Sequence, residues 1–82
     1  MLFRSTVAVL PEYRRQGIAQ EFIRQIEAWA RDRGATAMML EVEQTNDSAI
    51  ALYTKLGYMK ISVRMDYYGP GQDAFVMRKE FA

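Results

Sequence analysis

The sequence predicts a mixed α/β fold, with elements in the order β-α-β-α-β-β, a parallel strand pair and a closing antiparallel hairpin. Two observations carry this prediction. Ala19, Phe22, Ile23, Ile26 and Ala30 recur at helical spacing between two runs of strand length, Ser5 to Leu10 and Ala37 to Val42. A strand-helix-strand succession favours parallel pairing, because parallel strands need a crossover of a dozen or more residues. Farther on, Gly69, Pro70 and Gly71 separate two more strand-like runs, as an antiparallel hairpin requires.

Each element has a local reason. The β-branched and apolar residues of Ser5 to Leu10 read as a short, largely buried strand, and Pro11 ends it because it has no N–H to give a ladder. Glu12 to Gln16 form a loop. The helix that follows sets Glu21, Arg24, Gln25, Glu27 and Arg31 on its other side and stops at Gly34. Ala37 to Val42 is a continuous apolar strand with one charge inside it, Glu41. Asn46, Asp47 and Ser48 offer caps for a second, shorter helix over Ala49 to Leu56, closed by Gly57. Tyr58 to Met65 and Ala74 to Arg78 are the hairpin strands.

The composition narrows the chemistry. Eighty-two residues make one small domain, and a 50% hydrophobic content gives it enough apolar area to fold. A formal charge of +1 gives no global field toward nucleic acid or an anionic membrane, so any anion site is local. The chain contains no cysteine and no histidine, which excludes disulfides, a thiol nucleophile and the usual triad base, and argues against a transition-metal site. Met1 to Val9 is too short and polar for a signal peptide, and no apolar run approaches the ~20 residues of a membrane span. A soluble cytoplasmic protein is the expectation.

Two constellations stand out. Arg14, Arg15, Gln16, Gly17, Ile18 and Ala19 lie between the first strand and the first helix. Unpaired backbone N–H groups and the helix dipole favour an anion there, and Gly17 lets a phosphate approach the main chain. The arginines can add charge-assisted hydrogen bonds to a pyrophosphate, although such a pair by itself is more often a solvated face.

The second constellation is Glu41, Asn46 and Tyr53. A carboxylate in a buried strand is costly unless it is paired, hydrogen-bonded or kept for chemistry. Glu41 therefore has two readings: a frayed strand with an ion pair to an arginine such as Arg64, or a general base at a cleft, with Glu43 as a substitute. Asn46 reads equally as an N-cap and as a ligand contact. Tyr53 packs with Ile50 three residues earlier, while its hydroxyl could protonate a leaving thiolate.

The stretch from Val9 to Ala19 resembles the acetyl-CoA loop of the GNAT superfamily, whose pattern Q/R-x-x-G-x-G/A is met by Arg14, Gly17 and Ala19. The resemblance implies that the loop amides hold the pyrophosphate of acetyl-CoA and that the preceding strand pairs with the pantetheine arm, with Val7 and Val9 bordering the thioester. No Gly-Lys-Ser/Thr ending is present, so nucleotide hydrolysis is not expected. Leu40-Glu41-Val42, followed by Asn46, Ala49, Ile50, Leu52, Tyr53, Leu56, Gly57 and Tyr58, resembles the RimI and N-terminal acetyltransferase branch. In that branch the position matching Glu41 is the proposed base, that matching Tyr53 the proposed acid, and that matching Asn46 lies by the CoA. Tyr67-Tyr68, Asp73-Ala74 and Met77 resemble the closing hairpin, whose tyrosines line the peptide site.

The resemblance covers the C-terminal half of a family member, so one domain lacking the family's N-terminal arm is expected. Without that arm the first strand has an open edge, which invites a homodimer or a complementing chain. The implied activity is transfer of acetyl from acetyl-CoA to a primary amine, most readily a protein or peptide α-amino group, by direct attack and without a metal. The alternative is a CoA-binding module without catalysis, or a half-domain active only with a partner. A nucleic-acid-binding domain would rest on the arginine pairs alone.

Overall fold

The computed structural model describes residues 7–9 and 20–81. Among these, β1 (Val7–Val9), α1 (Gln20–Asp32), β2 (Ala37–Glu43), α2 (Asp47–Lys55), β3 (Met59–Gly69) and β4 (Gln72–Glu80) follow the expected order. The loop Glu12 to Gln16 and the start of the predicted first helix at Ala19 lie outside the described residues. The sheet order is β1-β2-β4-β3, with β1 parallel to β2 and the remaining pairs antiparallel. Among the described residues β1 therefore has one neighbour and forms an edge, and β3 forms the other.

The core lies on one face of this sheet. Met38, Leu40 and Val42 alternate along β2, and Ala8 of β1 and Met77 of β4 join them. Ile23 and Ala30 of α1 and Tyr53 and Leu56, at the end of α2, pack on the same cluster, so both helices cover that face. Each helix ends at a glycine with positive φ, Gly34 at 92° and Gly57 at 104°. There the next residue's N–H returns to a carbonyl five positions back, Ala35 to Ala30 and Tyr58 to Tyr53.

Two expectations need correction. Within its described residues, Val7–Val9, the first strand is not largely buried: Ala8 is covered, but Val9 is 66% exposed because alternation turns it away from the helices. On α1 the buried residues are Ile23, Glu27 and Ala30, whereas Phe22 is 41% exposed. Position 27 is four residues after Ile23 and three before Ala30, so helical geometry carries its carboxylate inward.

That burial is compensated. Tyr58 donates its hydroxyl to Glu27 Oε2 at 2.6 Å, and Lys79 Nζ lies 3.0 Å from Oε1, tying α1 to the start of β3 and to β4. Burial, and next the bond to Glu27, push the Tyr58 phenol well above its ordinary value of 10.0. The folded chain then keeps a proton that the unfolded chain releases above that pH, so stability present below pH 10 is lost as the pH rises. Denaturant melts at roughly pH 9 and pH 11 should show this fall, and Tyr58→Phe should flatten it.

Candidate active site

Glu41 stands in the regular part of β2, paired across the ladder with Val76. Its neighbours Leu40 and Val42 enter the helix-covered core, so Glu41 projects from the opposite face. The strand does not fray, yet the expected ion pair is present: Arg64 Nε lies 2.6 Å from Glu41 Oε2. Tyr67 donates its hydroxyl to the other oxygen, Oε1, at 2.9 Å. Both carboxylate oxygens are thus engaged from β3, and the side chain retains 19% exposure. Glu43, two residues on, shares this face and is half-buried.

Two residues three apart on β3 reach one carboxylate because the ladder is interrupted. Arg64 pairs with Ala74, and the next register pair is Gly69 with Gln72, so Met65, Asp66, Tyr67 and Tyr68 oppose Asp73 alone. Such a bulge re-aims side chains. Asp66 has φ 56°, a conformation aspartate tolerates better than most residues. Its N–H donates to Asp73 Oδ1 at 2.8 Å, and its own Oδ1 accepts from Gly71 N–H at 2.7 Å. The Tyr67 and Tyr68 rings meet edge to face with centroids 5.0 Å apart.

Asn46 is the N-cap of α2: its side-chain oxygen accepts from Ala49 N–H, and the helix starts at Asp47, two residues earlier than expected. Asn46→Ala should cost about 0.5–2 kcal/mol, read as a lower denaturant midpoint. Tyr53 is buried, its ring 5.8 Å from that of Tyr58, and burial raises its phenol above the ordinary range. The hydroxyl is therefore protonated at neutral pH. Tyr53 belongs to the helix-side core and Glu41 to the other face, so the two are not in contact; a ligand reaching both would pass the carboxyl end of β2.

Since β1 and β2 are parallel, their carboxyl ends point the same way, toward the connections that lead into α1 and α2. Clefts beyond the carboxyl ends of parallel strands are where ligands bind in such sheets. Val7 and Val9 lie on β1 on the Glu41 side of the sheet, in register with Ala37 and Met39. Arg14, Arg15, Gln16, Gly17, Ile18 and Ala19 lie outside the described residues. Sequence reading missed the bulge bracket and the Glu27 network. A signal for the first was Asp66 amid strand formers, where aspartate is depleted; for the second it was the helical spacing of Glu27 from Ile23 and Ala30.

The chain is similar to known proteins. An N-alpha-acetyltransferase of Saccharolobus solfataricus is 41% identical over 75 residues, covering 90% of this chain and 45% of that protein. The crystal structure of the ribosomal-protein-S18-alanine N-acetyltransferase from Escherichia coli superposes with a TM-score of 0.74 at 30% identity, over 94% of this chain and 56% of that one. A NatC complex bound to Gag peptide and CoA gives a TM-score of 0.72 at 27% identity, over 85% of this chain and 44% of the other. The chain spans about half the length of the curated relatives it matches, 45% of the first and 50% of an Escherichia coli ribosomal-protein-alanine N-acetyltransferase. The family model described as Acetyltransferase (GNAT) family matches residues 4–58, two-thirds of the sequence, and with the mixed sheet and its parallel β1–β2 pair this shows that the chain belongs to the GNAT acetyltransferase family.

Proposed function

We propose that this chain carries the acetyl-CoA-binding and proton-transferring part of a cytoplasmic N-acetyltransferase that acts on a primary amine, the α-amino group of a protein or peptide. The observation that carries the reading is Glu41: a carboxylate kept in a regular strand near the carboxyl end of a parallel pair, with each oxygen held by a donor from β3. Support for acetyl-CoA comes from the family and from the relative bound to CoA, and for a peptide amine from the relatives that acetylate α-amino groups. Among the described residues no helix is long and apolar enough to cross a membrane.

In this reading the amides of residues 14–19, with Arg14 and Arg15, hold the pyrophosphate; Val7 and Val9 border the thioester and Asn46 lies by the CoA. Glu41 takes a proton from the acceptor ammonium and passes it to solvent. The freed amine attacks the thioester carbonyl, the C–N bond forms, and the tetrahedral adduct collapses with cleavage of C–S. Tyr53 protonates the departing thiolate, and its phenolate recovers a proton from the nitrogen of the new amide. The sum is amide, CoA thiol and one proton. Holding the two reactants together supplies much of the rate, and no metal is called for.

Incubation with acetyl-CoA and an alanine-starting peptide, with the released thiol measured, tests the reading. Peptide-dependent thiol release is expected; binding of acetyl-CoA without release would leave a CoA-binding module. One observation favours a partner. β1 has an open edge among the described residues, which a second copy or a complementing chain would cover. Sedimentation across a concentration series should reveal such an assembly.

A further inference from the structure

We propose that Asp66 and Asp73 are positioning residues which place Tyr67 on the Glu41 carboxylate; the catalytic consequence rests on the function proposed above. The bulge puts four residues, Met65 to Tyr68, opposite Asp73 alone, and an unsupported insertion of that size would leave Tyr67 free to turn outward. Asp66 is instead held on both sides, its N–H by Asp73 and its carboxylate by Gly71 N–H. Asp66 takes its positive φ within the bulge, directly before Tyr67, and the Tyr67 hydroxyl meets Glu41 Oε1.

Arg64 precedes the bulge and reaches Oε2 from its own register position. The two donors therefore depend on the bracket unequally: Tyr67 is placed by it, whereas Arg64 meets it through the Tyr67 ring, whose centroid lies 5.7 Å from the guanidinium carbon. With both oxygens engaged, the lone pairs left to accept a proton have a fixed direction. Loss of Tyr67 would free the carboxylate to rotate about its last torsion while the ion pair persists. A misdirected base affects the chemical step more than binding of acetyl-CoA, whose anchor lies elsewhere in the chain.

Asp66→Val and Asp66→Asn, each read in two ways, and Tyr67→Phe, read by turnover alone, test this. Ring carbon resonances of tyrosine-labelled protein report whether Tyr67 is ordered against Glu41, with no turnover needed. Steady-state thiol release reports kcat and the KM for acetyl-CoA. A β-branched residue is strained at this φ and offers Gly71 no acceptor, whereas asparagine tolerates the φ and keeps the acceptor. Asp66→Val should release the Tyr67 ring and lower kcat about 10- to 100-fold with KM nearly unchanged, Tyr67→Phe should lower kcat similarly, and Asp66→Asn should restore both readouts. An ordered Tyr67 ring in Asp66→Val would overturn the proposal, as would a released ring with unchanged kcat. Should the parent chain show no thiol release, the proposed function fails, while the ring resonances still decide whether the bracket places Tyr67.

Discussion

Glu41→Gln is expected to lower kcat for thiol release by about 10²- to 10⁴-fold, the range that a positioned general base contributes. Glutamine matches the size of glutamate and can still accept from Tyr67 through its carbonyl oxygen. Its amide nitrogen, however, faces the Arg64 guanidinium as a second donor and cannot take a proton. The KM for acetyl-CoA should change little, because the predicted pyrophosphate anchor is the 14–19 loop. A drop in kcat with an unchanged KM is the pattern of an interaction used in the transition state. Full activity in Glu41→Gln would remove Glu41 from the chemistry and direct attention to Glu43, which shares its face.

Glu27→Ala should be among the more destabilising single changes in the described fold, by about 2–4 kcal/mol. The truncation strips the Tyr58 hydroxyl of its acceptor and leaves the Lys79 ammonium without its counter-charge, at the junction of α1, β3 and β4. Lys79 keeps 24% side-chain exposure and can reach water, which holds the cost below that of a fully buried orphan charge. For a domain of this size such a loss is a large fraction of a typical stability of about 4–12 kcal/mol. Glu27→Gln retains an acceptor for Tyr58 and should cost less. Urea unfolding of both variants checks this; equal midpoints for Glu27→Ala and the parent would show that the network contributes nothing.

Much of the fold was legible because its signals are local. Helical periodicity located α1, Gly34 and Gly57 stopped the helices where the αL turn requires them, and the Gly69 to Gly71 turn set up the hairpin. Reading Glu27 as solvent-facing failed because charge outweighed geometry in the assignment: position 27 lies on the Ile23–Ala30 stripe, and only tertiary partners 31 and 52 residues away, Tyr58 and Lys79, make that burial affordable. The same limit applies around Glu41. The sequence marked the residue as an anomaly and suggested Arg64 for it, but Tyr67 reaches it through a bulge whose register depends on β4. Side-chain bonds between strands distant in sequence leave no periodic trace.

In the function proposed, the carboxyl ends of β1 and β2 receive acetyl-CoA. Titrating the isotopically labelled chain with acetyl-CoA and following its amide resonances tests this most directly. Saturable shifts concentrated at Gln16 to Ala19 and at Asn46, with Gly69 to Gln72 at the hairpin tip unmoved, are the predicted result. Saturation without shifts at those positions, or no binding at all, would contradict it.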